Sequence, residues 1–375
     1  MTAITIDLLA FDPHPHLHRL RRRSPVAWVP DLQAWLVTGH RHCAEVMLDP
    51  KTFTVDDPRF STQRVIGPSM LSLDGDDHRR HRDPFAPPFR AVRIQGIEAA
   101  ARQTAQRLVE GFGERGAGDL RALVAAPLAV SLMTELLDLE DVAVDDVVVW
   151  YRDIVDAVHA VTEGGEVPDA GLEAFSRLGE AVAAGSGDSE LLSPIVGAGD
   201  LTTEEVVSNV AVLLFGGIVT AESAIAIAFR FLLEDPQLMR VISARRSLIE
   251  PFVEETLRLE PSAAVVDRYA TRDVRIGGAS IAAGDLVRVS LSGANRDPEV
   301  FVDPDRVDLN RTDSRKNLTF ARGPHACLGV HLARMETVVA VEALLDAVPG
   351  IAPGRLDPIE GLIFRAPATV RAAVS

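Results

Sequence analysis

The segment Phe320-Ala-Arg-Gly323-Pro-His325-Ala-Cys327-Leu-Gly329 carries the most reactive side chain in the chain's most unusual setting. One cysteine stands between two glycines, immediately before a strongly helical pattern. Glycines let the backbone turn tightly and let a flat group come close. A helix N-terminus favours negative charge, so Cys327 is expected to be thiolate-prone. A thiolate is a soft, electron-rich metal ligand. Arg322 and His325 flank it and are placed to hold anionic groups on the same cofactor. Two other readings stand beside this one. The first is a core cysteine buried in an irregular loop. The second is a cysteine nucleophile with His325 as its base, although a spacing of two residues argues against that pairing.

Other spacings could also do chemistry. Val253-Glu-Glu255-Thr-Leu-Arg258 puts an acid and a base at i and i+3, facing each other on one helical turn; at a surface such a pair is worth about 1 kcal/mol or less. His78 and Arg82 lie one helical turn apart and can reach a single anionic target, while the intervening Arg79, Arg80 and His81 equally suit a solvated face. Gly216-Gly217 sits inside a long helical pattern, where each glycine costs about 1 kcal/mol relative to alanine. That cost points to a bulge or to close packing.

Phe-x-x-Gly-x-His-x-Cys-x-Gly resembles the heme-binding loop of the cytochrome P450 family. The resemblance implies that Cys327 is the axial ligand of heme b iron and that Phe320 and Gly329 touch the cofactor. Ala321 stands where the family usually has glycine. Glu255 and Arg258 resemble the family's Glu-x-x-Arg pair, and Arg306, in Asp303-Pro-Asp-Arg306, is the expected third member of a structural triad. His78, Arg82, Arg268 and His325 match positions that hold the heme propionates. Gly216-Gly217-Ile218-Val219-Thr220 resembles the oxygen-activating turn, with Thr220 holding water and helping to protonate dioxygen. Val219 stands where the family carries an acid, and Glu222 is expected to replace it in part. Met70, Leu71, Ile218, Val219, Ala264, Val265 and Phe364 match segments that line substrate pockets, and all are apolar.

The activity implied is a monooxygenase. It would insert one atom of O2 into a small-to-medium, largely apolar organic substrate, in secondary metabolism. No flavin or iron–sulfur segment is visible, so the electrons are expected from a separate ferredoxin and its reductase. That partner would dock on a basic patch including Arg79, Arg80, Arg322 and Arg334. Alternatives are peroxide-driven, coupling or desaturating chemistry on the same heme, or a non-enzymatic heme sensor.

These residues need a scaffold. The chain has 375 residues, enough for one large domain, and a single domain over 1–375 is expected because no clean linker divides it. Thr202 with Glu205 makes a capping box that opens a long helix to Leu233, where Asp235-Pro236 stops it. Ser247–Leu259 and Leu328–Val348 read as helices, and the periodicity from Ala91 to about Leu137 is helical. The stretch from Val161 to Asp200 suits short helices and loops forming a cover. Ala34–Thr38 and short period-two runs between Ala264 and Ser290 read as strands. The fold class is therefore mainly α with a small β minority, the cytochrome P450 fold.

Composition excludes several functions. Lys plus Arg is 38 against 54 Asp plus Glu, a formal charge of −16, which argues against nucleic acid or an anionic membrane as a partner. Two cysteines cannot build a disulfide framework or a four-cysteine metal site. The N-terminus lacks the pattern of a signal peptide, and the apolar run Val210–Ala221 is shorter than the roughly 20 residues of a bilayer span. A cytoplasmic location is expected.

Overall fold

The computed structural model describes residues 4–374 except 138, 140, 141, 163, 164, 186–188 and 190. Its contacts cluster into two compact units built from interleaved segments. One comprises residues 1–54, 102–125 and 220–375; the other comprises 55–101 and 126–219.

The first unit holds a five-stranded sheet in the order Val26–Val29, Ala34–Val37, Leu286–Ser290, Val265–Ala270, Phe53–Thr54. All neighbours are antiparallel except Ala34–Val37 and Leu286–Ser290, which run parallel. Val37, Val287 and Val289 turn one face of this sheet onto a core with Val46, Met47 and Leu318. β-branched side chains suit such a half-buried pleated surface. The hairpin Val274–Ile276/Ala279–Ile281 turns on Gly277 and Gly278, both at positive φ, as a two-residue hairpin turn requires. Helices Ile249–Leu259 and Val330–Ala347 belong to the same unit and lie within two residues of their expected limits.

The second unit is helical, with Ser61–Ile66, Gly75–Arg82, Ala126–Leu136, Val144–Thr162, Asp169–Gly185 and Leu192–Ala198. The two last-named helices fall in the expected cover stretch, of which 163, 164, 186–188 and 190 lie outside the described residues.

The long helix runs from Thr203 to Glu234. Its capping box is formed in both directions: Glu205 N–H donates to Thr202 Oγ1 at 3.2 Å, and Thr202 N–H to Glu205 Oε2 at 2.8 Å. Among the described residues it is the one helix long and apolar enough to cross a membrane, but 78% of its most apolar window is buried in protein, as in a core helix.

The helical periodicity expected from Ala91 to about Leu137 is interrupted in the structure. Helix Ala91–Arg115 ends at Gly116, whose φ is 75°. Ala117–Asp119 then pairs with the C-terminal strand Val370–Val374, and a π-helical turn, Arg121–Ala125, leads into Ala126–Leu136. A β partner some 250 residues away overrides the local helical period.

Candidate active site

The cysteine loop is closed by its own backbone. Cys327 N–H donates to Phe320 O at 2.9 Å, Ala321 N–H to Leu318 O at 2.9 Å and Ala326 N–H to Gly323 O at 3.1 Å. Gly323 has φ 77°, and a Cβ there would sit 2.4 Å from Met47 O, so only glycine fits. Ala321 also has positive φ, 55°, which explains why glycine suits its place better. Phe320 lies under the Arg334 guanidinium at 4.9 Å, and Arg334 is itself ion-paired with Glu254. Gly329 caps helix Val330–Ala347, and a Cβ on it would meet Cys327 Sγ at an ordinary 3.8 Å.

The two cysteines differ sharply. Cys43 is fully buried, its Sγ–H directed at Val37 O, and burial pushes its thiol far up, which keeps it protonated. Cys327 is exposed at the head of the loop. His325 beside it is half-buried. Arg268 stands on strand Val265–Ala270, buried, with Nη1 donating to Asp267 O at 2.7 Å. In the other unit, helix Gly75–Arg82 presents His78 buried and Arg82 half-buried, one turn apart as expected.

The long helix is buried almost throughout, but Gly216, Gly217, Val219 and Thr220 form a partly accessible window. Gly216, Val219 and Thr220 share one face at i, i+3 and i+4. A Cβ on Gly216 would meet nothing within 4 Å, so that face has room beside it. Gly217 has a different reason: a Cβ there would lie 2.3 Å from Met133 Cε. The flexible tip of Met133 packs against it, and the helix is unbroken, without a bulge. Ile218, between Gly217 and Val219, is wholly buried.

Glu222, expected to replace in part the acid missing at 219, is ion-paired with Arg121. It is buried, and its Oε1 accepts from Arg121 Nε at 2.7 Å. Arg121 also donates from Nη1 to Pro367 O at 2.8 Å. At 100° per residue Glu222 lies within about 60° of Val219 but about 160° from Thr220. Arg121, unsuspected in the sequence, opens the π-helical turn and fixes this carboxylate.

The triad also needs a correction. Glu255 and Arg258 are completely buried and paired twice, Nε to Oε1 at 2.8 Å and Nη2 to Oε2 at 2.9 Å. The third member is Arg311, whose Nε donates to Glu255 Oε2 at 3.0 Å. Arg306 is exposed and offers only its backbone carbonyl, which accepts from Arg258 Nη2 at 3.0 Å. Arg258 Nη1 donates to Asn295 O and Pro304 O, so all five of its N–H groups are used.

Among the apolar positions, Ala263 bridges Phe364, and Ala264 N–H donates to Ile363 O at 2.7 Å, so these two expected pocket segments do meet. Ala264 is nevertheless buried, as is Met70, while Leu71, Val265 and Phe364 are half-buried. Of the expected docking cations, Arg79 pairs with Asp76, Arg80 with Glu205, and Arg334 with Glu254; Arg322 is exposed.

Residues 190–347 match the family model for cytochrome P450. The chain is 33% identical over 353 residues to the mycinamicin IV hydroxylase/epoxidase of Micromonospora griseorubida, covering 89% of this chain and 88% of that one. The chain belongs to the cytochrome P450 family. It is also 32% identical over 370 residues to the cytochrome P450 monooxygenase PikC of Streptomyces venezuelae, covering 92% of this chain and 87% of that one. The crystal structure of HmtN, a post-tailoring hydroxylase involved in himastatin biosynthesis, superposes with a TM-score of 0.85 at 27% identity over the full length of both chains. This cytochrome P450 is thus an oxidoreductase, a monooxygenase with the family's mainly helical fold. Members of the family carry heme b.

The donor set fits that cofactor. The accessible thiol stands on a hydrogen-bonded loop ahead of a helix, and Gly329, two residues on, leaves it uncrowded. Among the described residues no three His, Cys, Asp or Glu side chains cluster to cage a metal. A single thiolate would suit a heme iron, whose porphyrin would supply four nitrogen ligands of its own.

Proposed function

We propose that this cytochrome P450 holds heme b through the Cys327 thiolate and inserts one atom of O2 into a small-to-medium, largely apolar organic substrate of secondary metabolism. The observation that carries the reading is the contrast between the exposed thiol of Cys327, on its hydrogen-bonded loop, and the buried, protonated Cys43. Heme held by a thiolate supplies the electron density that favours O–O cleavage.

The chain's own residues do the rest. The Phe320–Gly329 backbone presents the sulfur and keeps it from moving. Arg268, His325, His78 and Arg82 are the cations and donors proposed for the two propionates. Gly216 leaves space on the helix face that carries Val219 and Thr220. Thr220 Oγ1 is the hydroxyl proposed to hold a water and pass a proton. Val219 cannot relay one, and Glu222 is held by Arg121, so water is proposed to serve Thr220 in place of a carboxylate. Met70, Leu71, Val219, Val265 and Phe364 are the proposed apolar contacts to substrate.

Electrons are proposed to come from a ferredoxin and its reductase, docking near the exposed Arg322. The acidic net charge of the chain would make that docking depend on local positive charge. The 1–375 chain is proposed to act as one catalytic domain in the cytoplasm.

Val219 favours a second reading, in which the same heme performs peroxide-driven, coupling or desaturating chemistry. Turnover of a library of apolar natural-product scaffolds by heme-loaded enzyme separates the two. With ferredoxin, reductase, NAD(P)H and isotopically labelled O2, a product carrying one labelled oxygen atom is expected. Product formed with peroxide alone, or product without added oxygen, would support the second reading instead.

A further inference from the structure

Asn209 lies on the long helix and is completely buried, as are His81, Ser69 and Ser72. Its side-chain amide joins three segments of one unit. Met70 N–H donates to Asn209 Oδ1 at 2.8 Å. Asn209 Nδ2 donates to Glu205 O at 2.7 Å and to His81 Nδ1 at 2.9 Å. A backbone N–H only donates and a backbone carbonyl only accepts, so the amide can sit only one way round. His81 Nδ1 must then be the acceptor; in the neutral ring the proton is on Nε2, which lies 3.2 Å from Arg80 Nη2 without accepting from it. That proton faces Glu205 Oε1 at 3.3 Å, a carboxylate held in place by Arg80 at 2.8 Å. Burial and the neighbouring Arg80 lower the His81 pKa, against the opposing pull of Glu205, in keeping with a neutral ring.

The loop that Asn209 grips is fixed at a second point. Ser208, the preceding residue, donates from its hydroxyl to Ile66 O at 2.6 Å. Between the two anchors the chain reverses at Gly67, φ 76°, and Ser69 N–H donates to Ser72 Oγ at 3.1 Å. Two consecutive helix residues therefore set where Met70 and Leu71 stand relative to Val219 on the same helix. Asn209 itself is ten residues from Val219, about 15 Å along the axis, too far to touch what Val219 touches.

We propose that Asn209 is a positioning residue for substrate selection: its amide locks the Met70–Leu71 edge of the pocket to the oxygen-site helix and so sets how large a ligand that pocket admits. This rests on the reading that Met70 and Leu71 face substrate. Replacing Asn209 by alanine leaves a buried Met70 N–H and a buried His81 nitrogen without their partner, and the loop must move to find new ones.

Two azoles that bind heme iron through nitrogen test this on the holoenzyme, read by the shift of the heme absorption band. Imidazole is the small probe, and 4-phenylimidazole adds a phenyl ring that, on this proposal, reaches the loop. In Asn209→Ala the dissociation constant of 4-phenylimidazole is expected to change at least fivefold while that of imidazole stays within twofold. The amides of residues 67–73 are expected to exchange hydrogen for deuterium at least tenfold faster. A merely structural loss would move both azoles together. Equal factors for the two azoles, or unchanged exchange, overturn the proposal. If Asn209→Ala does not take up heme, the same two readings on Asn209→Ser decide. Wild-type enzyme that shows no azole shift at all removes the heme reading and the selection role with it, whereas normal azole binding with unchanged exchange in the variant removes the Asn209 lock alone.

Discussion

At the scale of single residues, charge placement decides what this site can do. Glu255 pairs with two buried guanidiniums, Arg258 and Arg311, and its Oε2 also accepts from Asp308 N–H at 3.0 Å. Phe301 lies against both guanidiniums, at 5.2 and 5.9 Å from the ring centroid. Breaking a buried pair by removing one partner typically costs 3–5 kcal/mol. Arg311→Ala is therefore expected to destabilise by about that much, and Arg306→Ala, which deletes an exposed side chain, by about 0.5 kcal/mol or less. Denaturant unfolding of the two variants checks the assignment, and the reverse order would restore Arg306 to the triad. The Glu-x-x-Arg pair was legible because i,i+3 spacing is a property of the helix itself. Its third member was not, because both arginines lie in an irregular segment. Which of them turns inward is set by local backbone there, including Asp303 at φ 45°, and no periodicity encodes it. The same holds for Glu222: its partner Arg121 is 101 residues away.

At the scale of elements, the parts whose rules are local were readable. The capping box at Thr202, the Gly277-Gly278 turn and the helix after Gly329 all form where their residues require. The Phe320–Gly329 loop was readable for a different reason, since its pattern of glycines, histidine and cysteine is specific enough to mark a family. What escaped were elements made by distant partners. Ala117–Asp119 takes its strand conformation from Val370–Val374 and interrupts an otherwise helical period. Gly217 packs against the tip of Met133, from another helix. Asn209 looked like the polar end of an apolar run, and only tertiary structure shows it gripping a loop.

At the scale of the whole molecule, stability should carry a recognisable acid signature. Glu260 is buried, which by itself would raise its pKa; His14, Arg296 and Arg365, at 2.5, 2.9 and 3.2 Å, overcome that and bring it down to about 2. A folded-state pKa below the unfolded value means stabilisation that is complete above about 4.5 and is lost as pH falls toward 2. Unfolding midpoints measured from pH 6 to pH 3 should fall more steeply for wild type than for Glu260→Gln, and parallel slopes would contradict the assignment. The larger claim, that one sulfur organises the entire catalytic apparatus, is tested by spectroscopy. Heme-loaded protein, reduced and exposed to carbon monoxide, should show the red-shifted absorption band of thiolate-ligated heme, and Cys327→His should lose it while Cys43→Ala keeps it. A wild-type spectrum of the imidazole-ligated type, or a thiolate band that survives in Cys327→His, would contradict the account.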